Sequence, residues 1–426
     1  MNKNLILSLI SLGLISFLSV LIETSLNVTF AYLIQTFNID INKASLLTSM
    51  FLLAITLTMP LSSYLVNQIN TKKLFIFTNL LFLISLIICS SAGEFYILVF
   101  ARFLQGIAAG IALPLMFNMV IFKASEKYFG FLMGFCIFLV ATAPGFGPIY
   151  GGFIMKYFQF KDIFIFLIPF LVFAFVLGIK NIPNLETKYK LDLKEYILIV
   201  LLVISVAISI KYIYILFFSI LIIFMLNKSK IIASAKNLQF FSSTLIVFLM
   251  QFFALSYSLI LPNYLIMNKN YDNFEASKVM LLGSLIAAIL SPISGYLSDK
   301  FGSFKLSLLG IFIIIIANIL LLNIEEKTLL NLSICYLIYA FAQGLSMSAL
   351  ISYSIKISKD KTNANNYINT FQQSFGSYAV MIISIIFNNN YEIGFLNSIK
   401  LILFLAFLQL ILIYFAFRKK NLAMGF

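Results

Sequence analysis

Long apolar runs alternate with short polar connections along most of the chain. Each run holds about 20 residues, the length that a helix needs to cross ~30 Å of hydrocarbon. Six such helices are predicted in the first part of the chain, at 5–34, 45–66, 74–92, 95–122, 129–155 and 162–180. Six more are predicted in the second part, at 240–266, 279–298, 304–323, 329–355, 367–388 and 397–417.

A further apolar block at 196–226 is interrupted by Lys211 and fits either one overlong helix or two shorter ones. Cytoplasmic loops of membrane proteins carry an excess of Lys and Arg. If the block forms two helices, at about 196–210 and 212–226, most of the basic residues lie on the cytoplasmic side. If it forms one helix, the basic loops that follow the block lie on the outside instead. The pattern therefore predicts an all-α polytopic membrane protein with 14 transmembrane helices and both termini in the cytoplasm.

Composition agrees with a protein whose solvent is the lipid bilayer. Of the 426 residues, 62% are hydrophobic and 10% are charged, so a soluble fold could not bury the apolar surface. The net charge of +14 comes from Lys and Arg in short loops, which argues against a nucleic-acid partner. With no His, and with Cys89, Cys136 and Cys335 inside predicted helices, we expect no metal site and no cofactor.

An internal repeat divides the predicted helices into two halves. Arg102-Phe-Leu-Gln-Gly106 in the fourth helix is echoed by Ala340-Phe-Ala-Gln-Gly344 in its later counterpart. Two six-helix bundles of parallel topology are typical of secondary transporters, with a site at the midplane between them. The predicted domains are an N-terminal bundle at 1–180, a linker with the two extra helices at 181–238, and a C-terminal bundle at 239–426.

Two charged side chains, Glu23 and Arg102, lie inside the apolar helices of the first half. A charge at bilayer depth costs at least ~2.5–3.5 kcal/mol, so such residues usually mark a transport pathway or a proton site. Both residues fall in the outer half of the membrane, close enough in height to pair. The alternatives without a functional role are that Glu23 lies at a solvated helix end and that the side chain of Arg102 snorkels to the membrane interface.

Gly147-Pro148-Ile-Tyr-Gly151-Gly152 lies in the fifth predicted helix, Ile22-Glu23-Thr-Ser-Leu-Asn27 in the first and Arg102 in the fourth. These features, with a fourth in a later loop, give the chain a resemblance to the major facilitator superfamily, specifically its fourteen-helix drug/proton antiporter branch. The first segment resembles that branch's antiporter motif, although small residues also serve simple helix packing. The second resembles its first-helix motif, which normally has Asp where this chain has Glu23, and Arg102 matches the arginine of the fourth helix.

The fourth feature is a cytoplasmic loop in the second half, formed by Gly295, Asp299, Gly302 and Lys305. The resemblance implies that it acts as a conformational latch, and the alternative is an ordinary solvated turn. In the first half, Asn67 and Asn70 stand in place of the expected Asp and Gly, which leaves the first latch in question.

These features predict a proton-coupled transporter that exports drugs or other amphipathic organic solutes by alternating access, with the proton as coupling ion and Glu23 and Arg102 in the coupling site. An alternative on the same fold is a uniporter or importer of a lipid-like or small organic metabolite. An enzyme is not expected, because clustered catalytic carboxylates are absent from the sequence. The residues expected to line the substrate cavity are Asn27, Gln105, Gln251, Tyr257, Tyr339 and Gln343.

The expected location is the cell membrane, which is the inner membrane if the source has two. In that case a periplasmic adaptor and an outer-membrane channel are possible partners, besides the organic substrate and the bilayer itself.

Overall fold

The computed structural model describes residues 3–185, 193–226, 234–358, 361–388 and 390–421, and over these ranges the chain is helical with short connections. The earlier helices are α1 Lys3–Asn27, α2 Phe30–Phe37, α3 Ile41–Ala44, α4 Leu46–Gln68, α5 Thr71–Ser91, α6 Phe95–Lys123, α7 Glu126–Tyr157, α8 Asp162–Ile165 and α9 Ile168–Asn181. The later helices are α10 Leu193–Ser209, α11 Leu216–Met225, α12 Leu238–Lys269, α13 Asn273–Ser277, α14 Leu281–Phe301, α15 Ser303–Asn323, α16 Leu329–Ile357, α17 Lys361–Phe387 and α18 Tyr391–Asn421.

Within the described ranges, 12 helical stretches are long and apolar enough to cross a membrane. This confirms the prediction of an all-helical, multi-pass membrane protein. In the block at 196–226 the structure has two helices joined by a turn that contains Lys211. However, α10 has 17 residues and α11 only 10, which correspond to about 25 Å and 15 Å of helix. The count of fourteen transmembrane helices therefore stays a prediction.

The first predicted helix, at 5–34, is divided in the structure. α1 ends at Asn27, and α2 begins at Phe30 after a short turn. The turn is closed by the backbone N–H of Thr29, which donates to the carbonyl oxygen of Leu26 at 3.0 Å. The predicted helix at 162–180 is divided in the same way into α8 and α9, and Pro169 lies at the start of α9, where its missing N–H costs no hydrogen bond.

Internal contacts group the chain into two compact units. The first unit holds Met1–Asp192 and Leu265–Leu281. Within it, α1 packs against α6, α7 and α9, and α4 runs along α6. The segment Leu265–Leu281 joins this unit because α13 packs on α7.

The second unit holds Leu193–Tyr264 and Leu282–Phe426. Within it, α15 packs against α16 and α18, and α10 packs against α11. The three-part division predicted from the sequence stays a prediction, and part of its linker, at 186–192 and 227–233, lies outside the described residues.

The turn between α10 and α11 offers a test of the helix count. Lys211 is exposed at this turn, and the native cysteines, which are buried, can be replaced by serine. If both helices cross the bilayer, Lys211→Cys in intact cells reacts with a membrane-impermeant maleimide. Lys123→Cys, at the predicted cytoplasmic end of α6, should react only after the cells are permeabilised. Protection of Lys211→Cys in intact cells would rule out a crossing by these two helices.

Candidate functional site

Arg102 is the centre of the most unusual polar cluster in the first unit. It lies on α6, and its side chain is 0% exposed. Its Nε donates to the carbonyl oxygen of Leu47 on α4 at 3.3 Å. The guanidinium also lies over the ring of Phe51, 4.1 Å from the ring centroid, in a cation–π contact. α4 therefore fixes the position of this charge with one backbone group and one aromatic ring.

Two glycines of α6 explain why α4 comes so close. A Cβ at Gly106 would collide with the carbonyl oxygen of Phe51 and would lie 2.7 Å from the Cβ of Ala54. A Cβ at Gly110, one turn further along, would lie 2.9 Å from the Cβ of Thr58. Small residues four apart let helix backbones approach each other in membranes. The glycine face thus brings Phe51 within reach of Arg102.

Gln105 lies one turn after Arg102 on the same face of α6 and is also 0% exposed. Its Oε1 accepts a hydrogen bond from Nη1 of Arg102. Two donors of this pair, Nη2 of Arg102 and Nε2 of Gln105, have no acceptor among the described residues. The cluster is therefore anchored on one side and has two unused donors.

Glu23 on α1 is the acidic neighbour of this cluster. Its side chain is 5% exposed, and its charge and that of Arg102 lie close enough to interact electrostatically. Within the part of the chain that the structure describes, however, no salt bridge within 4.0 Å joins the two. Asn27, one turn after Glu23, accepts a hydrogen bond from the hydroxyl of Thr48 at 2.9 Å.

The glycines of the sequence Gly147-Pro-Ile-Tyr-Gly-Gly152 pack against two different helices. A Cβ at Gly151 would lie 2.5 Å from the carbonyl oxygen of Ser25, and one at Gly147 would collide with Thr24 on the same helix, α1. The hydroxyl of Ser25 donates to the carbonyl oxygen of Gly147 at 2.8 Å. Close packing of α7 thus fixes the segment of α1 that carries Glu23. Pro148 lies within α7 between these contacts.

Gly152 faces another way, toward α13. A Cβ there would lie 2.6 Å from the carbonyl oxygen of Asn273. One turn later, Lys156 forms a salt bridge with Asp272 at 3.0 Å. Asp272 also caps α13, since it accepts a hydrogen bond from the backbone N–H of Glu275 at 2.7 Å. That bond, together with Lys156, lowers the pKa of Asp272, so the cap and the ion pair persist at neutral pH and are lost only in acid.

Two candidates of the second unit, Tyr257 and Tyr339, lie together. The centroids of their rings are 4.3 Å apart, and both residues are fully buried. The hydroxyl of Tyr257 donates to Oδ1 of Asn318 at 2.6 Å. The hydroxyl of Tyr339 has no partner among the described residues.

The other two candidates of this unit make separate contacts. Gln251 accepts at Oε1 a hydrogen bond of 3.1 Å from Nε2 of Gln372, which links α17 to α12. Gln343 makes only a weak contact, at 3.8 Å, from its Nε2 to the sulfur of Met347. The six residues expected to line a substrate cavity thus divide into Asn27 and Gln105 in the first unit and four in the second. Their cavity role stays a prediction.

The loop of the second half turns at Gly302, which has a φ of +85°. α14 ends one residue before it and α15 begins one residue after it, so the turn uses a conformation that favours glycine. Lys305 is exposed in the first turn of α15. A Cβ at Gly295 would meet nothing within 4 Å. The side chain of Asp299 lies outside the described residues.

The first-half copy of this loop has a different backbone. Asn70 has a φ of −51° and caps α5 by accepting a hydrogen bond from the N–H of Lys72 at 2.9 Å. Asn70 is therefore an ordinary helix cap where the second half has a glycine turn. The side chain of Asn67 lies outside the described residues.

Comparison with known proteins agrees with this architecture. The family model of the Major Facilitator Superfamily matches residues 12–380. The chain belongs to the Major Facilitator Superfamily. Its fold is shared by a solved structure of a bacterial homologue of the human lysosomal transporter Spinster, with a TM-score of 0.69, and that structure captures the homologue in an inward-facing and unoccupied conformation. That match covers 98% of this chain and 97% of the other at 14% identity.

Curated relatives of this membrane transporter carry different substrate names. The lincomycin resistance protein LmrB of Bacillus subtilis is 28% identical over 72% of this chain and 69% of its own length. The riboflavin transporter RibZ of Clostridioides difficile is 27% identical over 71% of this chain and 69% of its own. The multidrug export protein EmrB of Escherichia coli is 24% identical over 48% of this chain and 40% of its own.

Sequence reasoning missed several contacts of the cluster. Leu47 and Phe51 hold Arg102. Nothing in the sequence distinguishes Phe51 from the other phenylalanines, of which the chain has 47 in all. Gly106 and Gly110, four residues apart on α6, were the signal that could have predicted the close approach of α4. Groups of three or more residues able to hold a metal ion are absent from the described part of the chain.

The α4–α6 contact yields a stability prediction with a matched control. Gly106→Ala adds one methyl group against the backbone of Phe51, which should lower stability by about 1–3 kcal/mol. Gly295→Ala adds the same methyl into open space and should leave stability unchanged or raise it, because alanine favours helix. Unfolding temperatures of the purified proteins in one detergent measure both. Equal unfolding temperatures for the two variants would contradict the packing argument.

Proposed function

We propose that this superfamily member is a proton-coupled transporter of the fourteen-helix drug/proton antiporter branch that exports amphipathic organic solutes. The observation that carries the proposal is the burial of Glu23 beside Arg102. Fixing ionisable groups in an apolar interior costs several kcal/mol, and membrane proteins retain them mainly where a proton or a substrate needs them. In the proposed cycle the carboxyl group of Glu23 takes up a proton on one side of the membrane and releases it on the other.

The fixed position of Arg102 supports this role. Leu47, Phe51 and Gln105 hold the guanidinium in place, so the attraction it exerts on an ionised Glu23 has a constant source. Protonation of Glu23 removes that attraction. A carboxyl group that gains and loses its attraction to a rigid neighbour can thus favour one conformation of α1 over another.

The names of two relatives support export as the direction of transport and drugs as the solutes. One is a lincomycin resistance protein and another a multidrug export protein. The proposed location is the cell membrane, with both termini in the cytoplasm. The polar side chains proposed to meet the solute are Asn27, Gln105, Gln251, Tyr257, Tyr339 and Gln343.

A second candidate function is a uniporter or importer of a small organic metabolite. It is supported by the riboflavin transporter among the relatives and by the Spinster homologue among the structures of the same fold. Such a protein needs no proton at Glu23, so coupling to a pH gradient separates the two functions.

Replacement of Glu23 by Gln tests proton coupling. We expect Glu23→Gln in proteoliposomes to lose export driven by a pH gradient, because the amide cannot carry a proton, while exchange of labelled for unlabelled solute without a gradient continues. The measurement is the flux of ethidium, lincomycin and riboflavin across the vesicle membrane, with and without the gradient.

Two further variants control this experiment. Glu23→Asp keeps a carboxyl group and should retain gradient-driven export, and Glu94→Gln changes an exposed glutamate at the start of α6 and should behave as wild type. Full gradient-driven export by Glu23→Gln would show that the proton is carried elsewhere. Equal fluxes with and without the gradient in the wild type would favour the uniporter.

A further inference from the structure

Two donors in the Arg102 cluster have no acceptor, although both side chains are completely buried. Nη2 of Arg102 and Nε2 of Gln105 lie without a hydrogen-bond partner among the described residues. A buried donor left without an acceptor typically costs about a factor of ten or more in an equilibrium constant, and more if it is charged. Two such donors one helical turn apart indicate that an acceptor belongs at this place.

The other atoms of the two side chains are already engaged, which fixes the position of the free donors. Nε of Arg102 binds Leu47, Nη1 binds Gln105, and Phe51 covers one face of the guanidinium. The guanidinium is planar, so Nη2 has little freedom once the rest of the group is held. The same bond to Nη1 fixes the amide of Gln105, whose Nε2 is the second donor.

We propose that Nη2 of Arg102 and Nε2 of Gln105 form a two-donor subsite that binds an acceptor oxygen of the transported solute, either a carboxylate or a carbonyl oxygen. The inference rests on the proposed function as a transporter and adds a substrate class to it. A carbonyl oxygen has two lone pairs and a carboxylate has two oxygens, so either accepts from both donors. Solutes that lack such an oxygen leave the donors unpaired and bind less well.

Glu23 is the acidic neighbour of the subsite. Its carboxylate attracts Arg102 but makes no salt bridge with it within 4.0 Å in the described chain. Glu23 therefore does not occupy Nη2 of Arg102, which leaves this donor to an oxygen of the solute.

The test is equilibrium binding to the purified protein, which needs no proton gradient. Four probes are used: lincomycin and riboflavin, which carry carbonyl oxygens, and ethidium and tetraphenylphosphonium, which carry no oxygen. Gln105→Glu keeps the acceptor for Nη1 of Arg102 and replaces the free donor by an oxygen, which also adds a negative charge beside the guanidinium. We expect it to weaken the binding of at least one carbonyl probe about tenfold or more and to leave the cations within about twofold.

A second variant guards against a folding defect. Gln105→Met adds no charge, removes the donor together with the oxygen that accepts from Nη1 of Arg102, and should show the same selective loss. Gln409→Met is its matched control, since Gln409 is an equally buried glutamine in the second unit whose Nε2 donates to the carbonyl oxygen of Ile246 at 3.2 Å. It should bind all four probes as the wild type does, and the unfolding temperatures of all variants are measured alongside.

The outcomes separate this inference from the proposed function. Selective loss of a carbonyl probe supports the subsite even if no pH gradient drives transport. If neither carbonyl probe binds, or if both glutamine variants at position 105 bind all four probes as the wild type does, the donors are satisfied by water and the subsite is wrong. Gradient-driven export of ethidium in that case would leave the antiport proposal standing.

Discussion

The close approach of α4 to α6 determines where the first unit holds its buried positive charge. Gly106 and Gly110 leave no side chains between the two backbones, so a carbonyl group and a phenyl ring of α4 reach Arg102. Neither contact alone offsets the cost of removing a guanidinium from water. Together with Gln105 they hold it in one orientation, and the chemistry proposed for the site depends on that orientation.

α1 is held in a comparable way by α7. Gly147 and Gly151 of α7 pack against Thr24 and Ser25, which directly follow Glu23 in sequence. The acid and the base are thus carried by helices whose neighbours fix them through glycine contacts and backbone hydrogen bonds. A rigid setting of this kind makes the electrostatic response to one proton reproducible, which a coupling site requires.

The sequence alone predicted the class of the protein and the residues at the centre of the cluster, because apolar length and an isolated charge are direct physical signals. Glu23 and Arg102 stand out for that reason, whereas Leu47 acts through its backbone and Phe51 resembles many other phenylalanines. The break after Asn27 also escaped prediction, since an apolar run does not show where a helix ends. The short α11 shows the limit of counting apolar residues: the pattern around Lys211 predicts a break of one residue, whereas α10 ends at Ser209 and α11 begins only at Leu216.

The proposed coupling depends on Glu23 exchanging a proton inside the apolar interior of the protein. Infrared difference spectroscopy of the reconstituted protein, recorded between alkaline and acidic pH, observes this directly through the C=O stretch of a protonated carboxyl group. We expect a band that rises as the pH falls in the wild type and is missing in Glu23→Gln. An identical band in that variant would show that Glu23 does not exchange the proton.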